Sequence, residues 1–127
     1  MKFLATDGAP KAIGPYAQAV IEGSFLFASG QIPLDPHSGD LVAGGIEDAT
    51  ARVLDNLEAV LREAGLTFAD VVKTTVFLAS MDDFPAMNQV YATYFGAEPP
   101  ARSTVGVAAL PKGARVEVEA VASLREA

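Results

Sequence analysis

From Ile46 to Ala64 the apolar residues keep a helical period, and this stretch constrains the fold more than any other. Ile46, Ala49, Val53, Leu57, Val60, Leu61 and Ala64 share one stripe, while Arg52, Asp55, Glu58, Arg62 and Glu63 occupy the other side. Gly65 follows at the position where a helix commonly ends. A long helix that is apolar on one side only must lie against another layer. The segments around it are strand-like, so that layer is expected to be a sheet.

Gln18 to Val20 and Phe25 to Ala28 read as two short strands around Glu22-Gly23-Ser24. Ser29-Gly30-Gln31-Ile32-Pro33 ends the second, and Asp35-Pro36-His37-Ser38-Gly39-Asp40 is dense in turn formers. Val71 to Leu78 is apolar and β-branched, hence a strand. Asp82 or Asp83 can cap a second helix with Pro85 in its first turn, an apolar stripe of Met87, Val90, Tyr91 and Tyr94, and Gly96 at its end. Arg102 to Ala109 and Ala114 to Leu124 are the last strands, expected as a hairpin through Leu110-Pro111-Lys112-Gly113. The order is ββαβαββ, an α+β class with residues 1–127 as one domain. Right-handed crossovers would place both helices on one face of a mixed sheet and leave the other bare. A bare face with apolar content must be wet or buried against another subunit.

Bulk properties remove several classes of function. No apolar run is long enough to span a bilayer, and the N-terminus lacks a sustained apolar signal region. The chain has no cysteine, which excludes disulfides, thiolate catalysis and cysteine-ligated metals. A cytoplasmic setting is the simplest reading. The formal net charge of −7 repels phosphate backbones, and no basic cluster offsets it, which disfavours nucleic acid as a partner. His37, the single histidine, lies in a turn without neighbouring ligands, so neither a zinc site nor Ser-His-Asp chemistry has support. Dinucleotide and P-loop glycine motifs are missing.

Two residues stand out at the end of the chain. Arg102 opens one strand, and Glu117 sits in Val116-Glu117-Val118-Glu119-Ala120-Val121. Arginine's planar fork suits a carboxylate bidentately, and a carboxylate is the usual group for activating water. Placing Val105 and Val107 toward the helices on one strand and Val116 and Val118 on the other puts Arg102, Thr104, Glu117 and Glu119 together on the bare face. Taken alone, each has a plainer reading: a solvated arginine at a sheet edge, and a half-exposed strand glutamate. Tyr16 could offer a hydroxyl to a ligand or simply anchor the N-terminal segment. Ser29 and Gly30 could present backbone N–H groups or form only a turn, and Asn88 could be a plain helix-surface amide.

Several short stretches, in order, resemble the RidA/YjgF group of imine/enamine deaminases along essentially the whole chain. They are Ala12-Ile13-Gly14-Pro15-Tyr16-Ala17-Gln18, Ser29-Gly30-Gln31-Ile32-Pro33, Val72-Lys73-Thr74-Thr75-Val76-Phe77-Leu78, Asp83-Phe84, Pro100-Ala101-Arg102-Ser103, and Leu110-Pro111-Lys112-Gly113 with Val116-Glu117-Val118-Glu119-Ala120. The resemblance implies a chorismate-mutase-like fold and a homotrimer, with sheets packed inward as a barrel-like core and three clefts between subunits. It implies Arg102 as clamp for a substrate carboxylate, Glu117 as holder of the attacking water, and Tyr16, Ser29, Gly30 and Asn88 in the cleft. Thr104 stands where many members carry cysteine, which would change pocket size or preference. The implied activity is hydrolysis of short 2-imino acids and their enamine tautomers to 2-keto acids and ammonia, with no metal or organic cofactor. The alternatives are a trimer that binds small carboxylates such as 2-keto acids without turnover, and an endoribonuclease or translation inhibitor.

Overall fold

The computed structural model describes residues 1–125. Its elements are β1 (Lys2–Leu4), β2 (Ala19–Glu22), β3 (Phe25–Gln31), α1 (Ile46–Glu63), β4 (Val71–Leu78), α2 (Phe84–Phe95), β5 (Ala101–Gly106) and β6 (Val116–Ser123). The strands form one sheet in the order β1-β2-β3-β6-β4-β5. All neighbours are antiparallel except β4 and β5. This is the expected α+β mixed sheet with two helices, plus one strand not foreseen. β1 is only three residues long and escapes a periodicity reading.

Helix α1 buries Ile46, Ala49, Val53, Leu57, Val60 and Leu61, the stripe read from the sequence. Its end closes as a Schellman motif: Gly65, at φ 74°, donates its N–H to the Arg62 carbonyl, and Leu66 donates to Leu61. Only a residue tolerant of a left-handed backbone fits there cheaply. Helix α2 buries only Met87 and Tyr91. Asp83 precedes it without capping it, because its carboxylate accepts from Arg115 at 2.8 Å instead. The inward residues of the sheet, Leu26, Val76, Leu78, Val116, Val118 and Ala122, are fully buried against these helices.

β5 and β6 are not a hairpin. β4 lies between them, parallel to β5 and antiparallel to β6. Parallel neighbours need a crossover, and α2 supplies it. The register then overturns the expected sharing of one face by Arg102, Thr104, Glu117 and Glu119. Arg102 pairs with Thr74 and Thr104 with Val76, both inward-facing positions. Glu117 and Glu119 pair with Phe77 and Thr75, on the bare face, where Ser103 and Val105 also lie. The alternation argument failed because it took apolar side chains as inward. Here the bare face is itself apolar: Phe3 is 66% exposed and Phe27 45%, with Val105 also exposed.

Candidate functional site

The site residues named above fall into two groups on one chain. The first is built on the edge strand β5 and helix α2. Arg102 is the second residue of β5, half-buried, with its guanidinium carbon 4.7 Å from the centre of the Tyr91 ring and 5.5 Å from that of Phe84. Asn88 lies one turn before Tyr91 and shares with Arg102 a cavity of about 390 Å³ closed by Phe95, Pro99 and Pro100. Among the described residues Arg102 makes no ion pair, whereas Arg62, Arg115 and Arg125 each meet a carboxylate. Its in-plane N–H donors are therefore free of a carboxylate partner. Thr104 follows on the same face, and its hydroxyl is buried with no hydrogen-bond partner.

The second group surrounds the irregular end of β3, where the register with β6 shifts between Ala28 and Gln31. Glu117 projects from β6 against Gly30. A methyl group placed on Gly30 would lie 2.8 Å from Glu117 Cδ and closer still to Oε2. Glycine here gives the carboxylate its seat. Burial pushes the Glu117 carboxyl above its usual value of 4.5, and repulsion from Glu119 adds to the effect. Gly30 and Tyr16 share a second cavity of about 420 Å³ with Ile13, Gln31, Ile32 and Lys112. Tyr16 is 54% exposed, at the end of a tight turn in which its N–H donates to Gly14. Ser29 donates its hydroxyl to the Ala17 carbonyl at 2.6 Å, so it ties the Tyr16 segment to β3.

The structure thus brings Arg102 together with Asn88, and Glu117 together with Gly30 and through it Tyr16. It does not bring Arg102 to Glu117. Two strand spacings and a three-residue offset separate their backbones by roughly 14 Å, and the side chains leave opposite faces of the sheet. Residues that sequence reasoning assigned only to packing are Tyr91 and Thr74. Their hydroxyls are joined at 2.7 Å in the core beneath Arg102. The available signal was a tyrosine on a core-facing stripe, which needs a polar partner when buried. Among the described residues no cluster of three or more His, Asp or Glu side chains is placed to hold a metal ion, and no helix is long and apolar enough to cross a membrane.

The site thus consists of an edge-strand arginine with a free fork and a separate half-buried carboxylate. Sequence comparison puts that in a family: the profile described as Endoribonuclease L-PSP matches residues 6–124, so the chain belongs to this family, also called YjgF/RidA. Over 121 residues it is 53% identical to a RutC family protein of Pyrococcus horikoshii, covering 95% of this chain and 96% of that protein. It is 51% identical to the 2-iminobutanoate/2-iminopropanoate deaminase of Mus musculus, covering 95% and 90%. The crystal structure of E. coli TdcF with bound serine matches with a TM-score of 0.94 at 42% identity, over 98% of this chain and 100% of that one.

Proposed function

We propose that this protein hydrolyses short 2-imino acids, such as 2-iminobutanoate and 2-iminopropanoate, to 2-keto acids and ammonia. The observation that carries the reading is the free guanidinium of Arg102 in a cavity beside Asn88. A bidentate arginine fork is the strongest ordinary partner for a carboxylate. The deaminase name of relatives at about half identity supplies the reaction class.

In this reading Arg102 holds the substrate carboxylate and Asn88 borders it. Glu117 holds a water near the C=N carbon. As the water oxygen bonds to that carbon, Glu117 takes its proton and the C=N electrons move to nitrogen. Glu117 passes that proton to nitrogen, giving the carbinolamine; its hydroxyl then loses its proton through Glu117 to nitrogen, C=O forms and ammonia leaves. Tyr16 and the backbone around Ser29 and Gly30 orient the substrate, and Thr104 borders the arginine side. The imine is already electrophilic, so fixing carboxylate and water together supplies the rate.

Because Arg102 and Glu117 leave opposite faces of the sheet, a site that uses both takes them from two copies of the chain in this reading. We propose a homotrimer in which Arg102 of one subunit meets Glu117 of the next, with the apolar bare faces buried inside. The test is complementation. Arg102→Ala and Glu117→Gln, each inactive alone on 2-iminobutanoate generated in situ, are unfolded together and refolded as mixed trimers. About one quarter of the sites should then carry both native residues and regain activity. No recovery, with mixed trimers verified by mass, refutes the shared site. An Arg102→Ala variant that hydrolyses imine as fast as wild type refutes the clamp. Carboxylate binding by calorimetry without turnover would instead favour a binding trimer, a reading the serine-bound E. coli TdcF keeps in view.

A further inference from the structure

Beneath Arg102 lies a polar-aromatic assembly that packing alone does not require. Thr74 is the one polar side chain in the inward phase of β4, among Val71, Val76 and Leu78. It sits directly opposite Arg102 in the strand register, and its hydroxyl is spent on Tyr91 at 2.7 Å. Tyr91 is 5% exposed, stacked on Phe95 at 4.4 Å, and Phe95 is braced edge-on by Phe68 at 5.0 Å. The ring is therefore fixed by a hydrogen bond at its tip and by aromatic neighbours along its side.

We propose that Tyr91, held by Thr74, is a positioning residue that sets the Arg102 fork before substrate arrives; this rests on the reading of Arg102 as the carboxylate clamp. The geometry fits the task. The guanidinium carbon lies over the Tyr91 ring at 4.7 Å from its centre, within reach of a cation–π contact. Among the described residues none of its N–H donors meets a carboxylate, so the fork stays available to one. An arginine side chain is otherwise rotamer-rich, and ordering it on binding weakens affinity. Contact with a fixed ring moves that ordering cost to folding. Phe84 flanks the same guanidinium at 5.5 Å and completes the shelf.

The test has a ligand-free arm and a ligand arm, both on the whole protein. In wild type, the Arg102 Nε–H resonance should be shifted upfield by the ring current. The shift should persist in Tyr91→Phe and shrink in Tyr91→Leu, where only the more distant Phe84 ring remains. With 2-oxobutanoate, the keto-acid product, Tyr91→Leu should raise Kd about 2- to 13-fold, the range expected when one rotamer-rich side chain must be ordered on binding. KM for 2-iminobutanoate should rise in parallel while kcat changes little, and Tyr91→Phe should recover most of the affinity. Should Tyr91→Leu fail to fold, Phe84→Leu reads the same contact with a smaller shift in the same direction. An unshifted Arg102 resonance in wild type overturns the proposal. So does a Tyr91→Leu Kd equal to wild type, or a Tyr91→Phe loss as large as that of Tyr91→Leu. If wild type turns over no imine, the enzymatic reading falls, while the resonance arm still decides whether Tyr91 sets the fork.

Discussion

Gly30→Ala separates stability from activity at one position. The Gly30 backbone is not among the left-handed glycines of the chain, so alanine is tolerated there without backbone strain. Glycine to alanine at a compatible site stabilises by about 0.4–1 kcal/mol through the unfolded chain. The new methyl, however, would stand 2.8 Å from Glu117 Cδ, where an ordinary contact begins at 3.4 Å. Glu117 must retreat by at least the difference, and its nearer oxygen by more, so the carboxylate moves by roughly 1 Å. A misplacement of that size costs about 100-fold in rate when the displaced group orients a reactant. The expected outcome is a melting temperature at or slightly above wild type with kcat/KM for 2-iminobutanoate reduced about 100-fold. Gly30→Ala added to Glu117→Gln should cost almost nothing further, because both act on one group. The reasoning is refuted if a crystal structure of Gly30→Ala shows the carboxylate displaced while activity stays within about threefold of wild type.

Glu117 and Thr104 yield the other expectations. The raised Glu117 pKa means that activity requiring its carboxylate should fall on an acid limb lying above 4.5. Glu119→Gln should move that limb to lower pH, though not fully, since burial is the larger cause. The sign for stability is the reverse of the usual carboxylate: the native state holds this proton more tightly than the unfolded chain. Its contribution to stability is therefore lost as pH rises from 4.5 through the native value. A pH–rate profile and pH-dependent melts of both proteins check this, and an unmoved limb in Glu119→Gln would contradict it. Thr104→Val removes a buried hydroxyl without a partner and should stabilise by roughly 1 kcal/mol. A lowered denaturant midpoint would show that the hydroxyl finds a partner in the assembly.

The sequence was most legible where one rule sufficed. The α1 stripe, its glycine stop, and the alternation of Val116, Val118 and Ala120 all appear in the structure as read. It was least legible at β5. Arg102-Ser103-Thr104-Val105 has one apolar residue to set its phase, and Val105 points to the bare face because Phe77 awaits it there. A rule that apolar means inward cannot see a sheet with two apolar faces. Pairing is likewise nonlocal: a turn-rich Leu110–Gly113 segment looks like a hairpin loop, yet β4 occupies the place between the strands it joins. The Arg102 and Glu117 residue types pointed to their chemistry, but only the register shows them leaving opposite faces.

That register also sets the order in which the molecule can be made. β6, the last strand in chain order, fills the slot between β3 and β4 and pairs with both. Until Val116–Ser123 has emerged from the ribosome, the two halves of the sheet face each other across a gap one strand wide. Until then both carry an unpaired backbone edge, at β3 and at β4. Without β6 the facing edges of β3 and β4 keep unpaired backbone groups, the feature by which strand edges pair with other chains. A frameshift within β6 would remove the centre of the fold rather than trim its margin.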